Sequence, residues 1–555
     1  MKASIMTQPT LGQFLFDTIH ARGVTHAFGI PGDFALPTFR WLEASPIKLL
    51  TMTHEPSVGF AADAYARVNG LGLACVTYCV GGLNMLNAIA CAYAEKSPVI
   101  VVSGGPSPSD RRADSLLHHK VRTFDTQRRI FEEVTCATTV ISDLDTAASE
   151  ILRVIDEVIV QSRPGYIEIP YDLVDLPIKT PIIPSKPALE SDSEHLNAAI
   201  TDAIEQLKSA KQPVIIADIE LARFKLTDLA ITIAERFGIP IASTLLSKSV
   251  IPETHPLYIG VYSGGLSEPA LQAYIESSDC VLMLGAFITD VFLGMNTATL
   301  LRKNMILATS DKIRVAHRTY DNVGLKDFLI RLAAEPYSRR QMPVLPKPTA
   351  LPQPLNKDEY EKSLTVEAFF RILGLHLGED NAIVCDTGDA LLGAMGLRIE
   401  GRNDFLSDAY YLSMGFAMPA AIGVMAAAPD ARVFAIIGDG AFQMTGTELS
   451  TAAKYGMNPI VFVLNNDGYG TQRHILDGAF NNILQWNYTK IVDMLGVGTS
   501  FKVATTHALD KAITQALTSK TLTLIEVIIP RDDSSRSLRR MGEELGKQRD
   551  KNKRA

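Results

Sequence analysis

The stretch VFAIIGDG, residues 433–440, decides the fold, because five apolar residues run directly into the turn Gly438-Asp439-Gly440. The stretch PIVFVLNNDGYG, residues 459–470, repeats this arrangement with a second apolar run that ends at Asn465 and Asn466. Short apolar runs that end in turn residues are typical of buried parallel strands. Open α/β sheets bind ligands at the carboxyl ends of their strands, so we expect both turns to belong to a binding site.

The polar groups of these two turns predict a magnesium diphosphate site. Mg²⁺ prefers oxygen ligands in an octahedron and is usually held by one or two carboxylates together with substrate phosphates. Asp439 supplies the charge, Asn466 a side-chain oxygen and Gly468 a main-chain oxygen. Either motif alone reads as an ordinary turn, but the two together, each after an apolar run, favour the metal site.

The residues beside Asp439 fit the same interpretation. Gly438 and Gly440 let the backbone approach the phosphates, and we count Gly440 and Ala441 among the cofactor-binding residues. A helix that starts near Thr445 is expected to add the dipole of its N-terminus to this site.

The length of 555 residues predicts about three domains, since single cores rarely grow beyond about 250 residues. Apolar β-rich runs alternate with segments of helical period, which predicts doubly wound α/β domains with mainly parallel sheets. Proline-rich breaks at 176–187 and 337–354 divide the chain. We therefore expect domains at 1–180, 190–340 and 355–530, followed by a C-terminal helix and tail at 531–555.

The composition excludes several classes of protein. A formal charge of −8 and a pI near 5.8 argue against a general nucleic-acid binder. No apolar stretch approaches the ~20 residues of a membrane span, and the N-terminus lacks the apolar core of a signal peptide. The six cysteines show neither metal-ligand spacing nor a disulfide framework. These features favour a cytoplasmic protein with no nucleic-acid or membrane partner.

The segment HEPSVGFAADAYAR, residues 54–67, places Glu55 at the start of a helix rich in small side chains. An acid at that position also favours the helix dipole, which is the plainer interpretation. However, small neighbours let a flat heterocycle approach the carboxylate, and GGLN, residues 81–84, supplies another open turn. The pairing favours a catalytic role for Glu55.

These motifs resemble those of the thiamine diphosphate enzymes over essentially the whole chain. HEPSVGFAADAYAR and GGLNMLNA are similar to the pyrimidine-binding half, and GDGAFQMTGTEL and LNNDGYG to the diphosphate-binding half. GIPGDFALP (29–37) and SRPGYIEIP (162–170) extend the resemblance. It is strongest to the 2-oxo-acid decarboxylases, in particular the phenylpyruvate and indolepyruvate decarboxylases. The three domains are then a pyrimidine-binding, a middle and a diphosphate- and Mg²⁺-binding domain.

The resemblance also implies which residues carry the reaction. Asp33 in GIPGDF and the pair His118-His119 in LLHHK match the groups that handle protons in the decarboxylases. Taken singly, Asp33 reads equally well as a turn residue and the histidines as a solvated loop. Histidine titrates near neutrality, which suits an intermediate that changes charge.

The resemblance also implies which residues contact the cofactor and what each of them does. Glu55 matches the acid that hydrogen-bonds the pyrimidine, so that the cofactor's own amino group takes the C2 proton and an ylide forms. Met414 matches the apolar prop between the two rings, although methionine also serves as core filler. The backbone at Thr387, Gly388 and Asp389 lines the pyrimidine side.

The substrate pocket differs from that of pyruvate-specific relatives. Gln472 stands where those relatives carry a glutamate, and an amide cannot donate a proton as an acid does. Leu391 and Leu392 replace bulkier aromatic residues, and Ile475 is expected to line the same pocket. We predict an aryl or long aliphatic 2-oxo acid, such as phenylpyruvate or indolepyruvate, which is decarboxylated without oxidation to an aldehyde and CO₂.

Two alternatives stay open at this point. A carboligase of the acetolactate synthase kind uses the same cofactor and fold, and a flavin- or nucleotide-binding protein with a vestigial site is the other. The resemblance further implies a homodimer or homotetramer with active sites at the dimer interface. The amphipathic segment 531–547 fits either a terminal helix or a lid.

Overall fold

A computed structural model describes residues 8–179, 190–340, 344–346, 353–401 and 404–552. The two proline-rich breaks and the side chains of the basic C-terminal tail lie partly or wholly outside the described residues. The chain forms two compact units. Unit 1 comprises Met1–Ala188, Met418–Asp430 and Thr447–Met457, and unit 2 comprises Leu189–Ala417, Ala431–Gly446 and Asn458–Ala555.

Unit 1 contains a six-stranded, all-parallel sheet in the order β2-β1-β3-β4-β6-β5. Its strands are β1 (His26–Gly29), β2 (Lys48–Thr51), β3 (Gly72–Val76), β4 (Val99–Gly105), β5 (Ala137–Val140) and β6 (Gly165–Pro170). The helices of this region are α1 (Leu11–Ala21), α2 (Leu36–Ala44), α3 (Glu55–Asn69), α4 (Val80–Ala94), α5 (Pro108–Ala113), α6 (Thr126–Glu132) and α7 (Ala147–Gln161).

Unit 2 contains two sheets, of which the first has seven strands in the order β13-β12-β11-β10-β7-β8-β9. Its strands are β7 (Pro213–Ala217), β8 (Ile241–Ser243), β9 (Tyr258–Val261), β10 (Cys280–Leu284), β11 (Met305–Ala308), β12 (Lys312–Val315) and β13 (Arg318–Asp321). Only the two pairings made by β12 are antiparallel. The helices here are α8 (Ser193–Ser209), α9 (Glu220–Arg223), α10 (Thr227–Phe237), α11 (Pro269–Glu276) and α12 (Leu325–Ala334).

The second sheet of unit 2 has six parallel strands in the order β15-β14-β16-β17-β19-β18. Its strands are β14 (Asn381–Cys385), β15 (Phe405–Ser407), β16 (Arg432–Gly438), β17 (Ile460–Asn465), β18 (Thr499–Val503) and β19 (Thr523–Ile528). Helices along this part of the chain are α13 (Val366–Leu375), α14 (Asp389–Ala394), α15 (Ala417–Ala427), α16 (Asp439–Thr445), α17 (Leu449–Lys454), α18 (Gly470–Ile475), α19 (Lys490–Leu495), α20 (Thr506–Thr518) and α21 (Arg536–Asn552).

The strand orders indicate where in each sheet a ligand is expected to bind. In each sheet the chain first adds strands on one side of the sheet's first strand and then crosses over to add the remaining strands on its other side. The crevice between the first strand and the first strand after the crossover is where open α/β sheets bind ligands. The crevice lies between β1 and β3 in the first sheet, β7 and β10 in the second, and β14 and β16 in the third. The predicted fold class is confirmed by these three mainly parallel sheets.

Most predicted elements agree with the structure to within a residue or two, including the strands after which Asp439 and Asn466 follow. Strands β3, β7 and β10 are buried at every residue, as expected for strands covered on both faces. One prediction is wrong: the helix expected to start near Thr445 begins at Asp439 and ends at Thr445. The glycines had suggested an extended phosphate turn, but helical backbone accommodates them as well.

Candidate active site

The crevice of the first sheet brings together Asp33, His118 and His119. Asp33 follows β1 and opens a short 3-10 helix, Asp33–Ala35. A Cβ atom at Gly32 would lie 2.6 Å from Cβ of Thr77, just beyond β3, so the two strand ends approach as closely as only glycine permits. The His118 Nε2 atom is hydrogen-bonded to Asp33 Oδ2, and His119 Nδ1 lies 3.9 Å from Asp33 Oδ1.

Aromatic packing fixes the two imidazoles. The Phe34 ring stacks on His118 with centroids 4.9 Å apart and meets His119 edge-on at 5.8 Å. His119 adopts a φ of +66°, an uncommon conformation for a residue with a side chain, and such strain is frequent at functional sites. Partial burial raises the pKa of Asp33, but the hydrogen bonds from His118 and the Phe34 amide outweigh it, so this pKa lies below its ordinary value.

Glu55 is the first residue of α3 and is half-buried. The side-chain amide of Asn84, on α4, donates to Glu55 Oε2 at 2.6 Å. A Cβ atom at Gly81 would lie 3.8 Å from Glu55 Oε1, so nothing on that turn crowds the second oxygen. One carboxylate oxygen is therefore held in place while the other is available to a ligand.

The strand end before Glu55 is held by a segment from far along the chain. Glu448 is fully buried and accepts hydrogen bonds from the Thr53 hydroxyl at 2.6 Å and the Thr53 amide at 3.2 Å. The Tyr455 hydroxyl accepts from the Thr51 amide at 2.8 Å. Sequence reasoning missed these residues, since nothing in a pattern of apolar runs pairs positions about 400 apart.

A second buried network supports the histidine loop. The Glu168 carboxylate, fully buried at the end of β6, accepts hydrogen bonds from Arg111 and from the Tyr166 hydroxyl. Gln127 donates to the Tyr166 hydroxyl at 2.6 Å and accepts from the Cys79 amide at 2.6 Å. Burial raises the pKa of Glu168 to about 7, against the lowering effect of Arg111.

In the third sheet, the crevice between β14 and β16 holds Asp439. This carboxylate is 1% exposed, Oδ1 accepts from the Gly440 amide at 2.8 Å, and Oδ2 accepts from the Gly468 amide at 2.9 Å. Burial raises the pKa of Asp439 above its ordinary value, which is the signature of an anion that lacks a full counter-charge. A cation beside it would remove that penalty.

The donor set around Asp439 fits Mg²⁺. Asn466 follows β17, the neighbour of β16, and Gly468 has a φ of +122° that a side chain disfavours. Gly440 lies against Tyr469, where a Cβ atom would come within 2.5 Å of the ring. Carboxylate, amide and main-chain oxygens are the ligands that Mg²⁺ prefers. Asp439, Asn466 and Gly468 are thus the residues that would hold it.

Asp386 organises the other side of this crevice and was missed in the sequence. Buried at the end of β14, it accepts from the amides of Thr387 and Gly415 at 3.1 Å and of Ala417 at 2.9 Å. It thereby fixes the turn that carries Met414, which is half-buried. Burial raises the pKa of Asp386 to about 6. The signal was present, because Asp386 follows an apolar strand just as Asp439 does.

The segment 387–389, predicted to line the pyrimidine side, forms a turn that requires a glycine. Gly388 has a φ of +85°, which favours glycine, and Asp389 opens α14. The Asp389 carboxylate accepts from the Ser535 amide at 2.9 Å, just before α21. The C-terminal helix is therefore anchored on this loop.

The predicted pocket residues fall into two groups. Leu391 and Leu392 are 1% and 7% exposed and belong to the hydrophobic core of unit 2. Gln472 is exposed and Ile475 is 42% exposed, both on α18. Their role in substrate binding stays a prediction.

The crevice of the seven-stranded sheet is filled by its own side chain. Asp218 accepts from the Phe287 amide at 2.7 Å, the Ile219 amide at 2.8 Å and the Thr244 hydroxyl at 2.8 Å. Burial raises the pKa of Asp218 to about 7. A carboxylate at this point disfavours a phosphate ligand, which argues against the nucleotide-binding alternative.

Comparison with known proteins identifies the family. Models described as the N-terminal TPP binding, central and C-terminal TPP binding domains of thiamine pyrophosphate (thiamine diphosphate) enzymes match residues 9–128, 200–327 and 386–527. An indole-3-pyruvate decarboxylase of Azospirillum brasilense is 34% identical over 96% of this chain and 97% of its own length. Pyruvate decarboxylase 1 of Arabidopsis thaliana is 34% identical over 96% and 90%, and pyruvate decarboxylase 1 of Oryza sativa subsp. indica 33% over 96% and 91%.

The chain belongs to the thiamine pyrophosphate-dependent 2-oxo-acid decarboxylase family. The resemblance drawn from the sequence, the enzyme class and the organic cofactor are thereby confirmed. Among the described residues, no helix is both long and apolar enough to cross a membrane.

Proposed function

We propose that this enzyme decarboxylates a 2-oxo acid with an aryl or long aliphatic side chain, such as phenylpyruvate or indolepyruvate, and releases the aldehyde and CO₂. The observation that carries the decarboxylase assignment is the cluster of Asp33, His118 and His119 at the crevice of the first sheet. An imidazole hydrogen-bonded to a carboxylate can transfer a proton, and release of the aldehyde requires a proton donor. A carboligase of the acetolactate synthase kind joins a second oxo acid instead and has less need of it.

Bound thiamine pyrophosphate supplies the nucleophilic carbon and the electron sink. Glu55, held by Asn84 through one carboxylate oxygen, would hydrogen-bond the aminopyrimidine with the other, and Met414, on the turn fixed by Asp386, would support the rings. Asp439, Asn466 and Gly468 would hold Mg²⁺, which would bind the diphosphate. Asp33, His118 and His119 donate and accept the protons, while Gln472 orients the substrate.

The substrate class is supported by Gln472 and Ile475 and by one relative, which is an indole-3-pyruvate decarboxylase. Other relatives are pyruvate decarboxylases, so the discriminating measurement compares the two substrates. A panel of 2-oxo acids is assayed by coupling aldehyde release to NADH oxidation by an added alcohol dehydrogenase. We expect a higher kcat/KM for phenylpyruvate than for pyruvate. The reverse order contradicts the substrate class, and acetolactate without aldehyde contradicts the reaction.

We also propose a homodimer or homotetramer with active sites at the dimer interface. Exposed apolar side chains in unit 2 support association, since Leu476, Phe480 and Leu484 are 60%, 66% and 79% exposed within the single chain. A cytoplasmic location is supported by the free state of all six cysteines, five of which are buried. Sedimentation velocity gives the oligomeric state, and a monomer that is fully active contradicts the assembly.

A further inference from the structure

We propose that Asp33, His118 and His119 form a binding site for a divalent transition metal such as Zn²⁺ or Co²⁺, built from residues other than the magnesium ligands. One ligand atom from each side chain lies within 4.8 Å of the others. Two imidazoles and a carboxylate are a frequent ligand set for Zn²⁺ and other first-row metals. Mg²⁺ prefers oxygen donors, so the cation that serves Asp439 does not compete here.

The strongest evidence is the state of His119. Its Nδ1 atom is buried and, among the described residues, has no hydrogen-bond partner, although it lies 3.9 Å from Asp33 Oδ1. A buried imidazole nitrogen normally finds a partner, so an unpaired one next to a carboxylate indicates room for a cation between them. His118 approaches the same carboxylate from the other side.

Packing contacts surround the side chains that present these atoms. The rings of His118 and His119 lie 4.8 Å apart at 78° to each other, and both contact Phe34. Beyond the histidines, Lys120 donates to the Asp114 carboxylate at 2.7 Å and lies 4.3 Å from the centre of the Phe124 ring. Lys120 thereby links Asp114, before the histidines, to Phe124, after them.

The geometry permits a tetrahedral site. Zn–N and Zn–O bonds of about 2.0–2.1 Å place two ligand atoms about 3.3 Å apart, so the separation of up to 4.8 Å between the ligand atoms closes by at most about 1.5 Å. The side chains of His118 and Asp33 are 57% and 51% exposed, which leaves water access to the fourth position. The metal replaces the proton shared by His118 and Asp33.

The expected effect of the metal on catalysis rests on the proposed function. A metal bound here withdraws both histidines from proton transfer, so micromolar Zn²⁺ inhibits turnover even when Mg²⁺ is in large excess. Binding itself does not depend on that role. It is measurable without substrate, and this separates a failure of the metal site from a failure of the proposed reaction.

The test uses the untagged enzyme loaded with thiamine pyrophosphate and Mg²⁺. Co²⁺ is titrated and its visible d–d absorption is recorded, and Zn²⁺ is then added as a competitor. We expect one Co²⁺ per chain, displaced by Zn²⁺ and unaffected by further Mg²⁺. In H119Q and in D33N the affinity falls by at least about tenfold, as for other lost metal contacts.

H376Q is the matched control, because His376 also pairs with a carboxylate, that of Asp510 at 2.8 Å, but belongs to no group of three ligand atoms among the described residues. Its Co²⁺ spectrum should equal that of the wild type. Circular dichroism shows whether each variant is folded. If H119Q does not fold, D33N alone provides the test of the metal site. Absence of the Co²⁺ bands in the wild type, or their persistence in both H119Q and D33N, overturns the proposal.

Discussion

Asn84 donates to Glu55 across the first turns of two adjacent helices, with 2.6 Å between Nδ2 and Oε2. Glu55 opens α3, and Asn84 lies near the start of α4. The contact leaves the carboxylate one rotational setting in which its other oxygen is available to a ligand. Under the proposed function, Asn84 is therefore a positioning residue for Glu55.

Asn84→Ala should lower kcat by about ten- to a hundredfold, because small misplacements of a catalytic group cost that much. Asn84 is exposed, so the melting temperature should stay within a few degrees of the wild type. Steady-state kinetics and thermal unfolding together check this. Asn197→Ala, an exposed asparagine on α8, is the control. Full activity of the Asn84 variant contradicts the positioning role.

Glu55→Gln should reduce kcat by about 10²–10⁴-fold, since the amide keeps its shape but cannot exchange a proton with the pyrimidine. Cofactor binding should persist, because the groups expected to hold the diphosphate are untouched. Hydrogen–deuterium exchange at the cofactor C2 atom, followed by NMR, reports the step directly. Exchange at the wild-type rate removes Glu55 from the mechanism.

Co-expression of Glu55→Gln and Asp439→Asn chains tests the assembly. If each site takes Glu55 from one subunit and Asp439 from its partner, a hybrid dimer holds one intact site and one doubly altered site. Random pairing makes half of the dimers hybrid, so about a quarter of wild-type activity returns. Each variant alone should be nearly inactive. No recovery in the mixture means that both groups of a site come from the same chain.

Lys248 is fully buried and donates to Glu253 at 2.6 Å and to the Leu397 carbonyl at 2.6 Å. Lys248→Met leaves the buried Glu253 charge without its partner, which should cost about 3–5 kcal/mol. Adding Glu253→Gln should recover most of that loss. Urea midpoints of the single and double variants measure both effects. Lys490→Met, which breaks an exposed pair with Asp493, should leave the urea midpoint nearly unchanged.

Asp218 makes stability depend on pH. Burial raises its pKa to about 7 from an ordinary value of 3.8, with the nearby Glu220 adding to the rise. Between about pH 4 and pH 7 the folded chain holds a proton on Asp218 that the unfolded chain has released, so the contribution of Asp218 to stability is greatest below about pH 4 and falls as the pH rises to about 7.

Asp218→Asn cannot ionise, so its stability relative to wild type should rise by up to a few kcal/mol across that window and level off above it. Urea midpoints of the variant and the wild type between pH 4 and 8 measure the difference in stability. The other buried acids are present in both proteins, so their contributions cancel in this difference. Asp358→Asn, an exposed site, should show no such trend. A pH-independent difference for Asp218→Asn contradicts the raised pKa.

The strands and the crevice residues were predictable because their signals are local. Asp439 and Asn466 follow apolar runs, and a parallel strand ends where its ligand binds. Glu55 was also predictable, because the small side chains that mark the start of α3 are its neighbours in the sequence. The start of α16 was not, because Gly438-Asp439-Gly440 suits a turn and a helix start alike, and tertiary packing decides between them.

The partners of the supporting residues were not predictable, because they are distant in sequence. Glu448 holds Thr53, and Asp386 holds the backbone at Gly415, by hydrogen bonds that no periodicity encodes. Buried polar groups must find partners, but the sequence does not say which ones. The three-domain boundaries stay a prediction, since the structure divides the chain into two units.

Unit 1 is discontinuous, for it takes in 418–430 and 447–457 from the last third of the chain. Helix α15 packs on α3 there, with Gly423 against the Ala61 carbonyl, and Tyr455 and Glu448 hold the strand end before Glu55. During synthesis on the ribosome, the N-terminal domain must wait for these late segments. Glu55 therefore acquires its final surroundings only after residue 457 has been synthesised, about 400 residues after Glu55 itself.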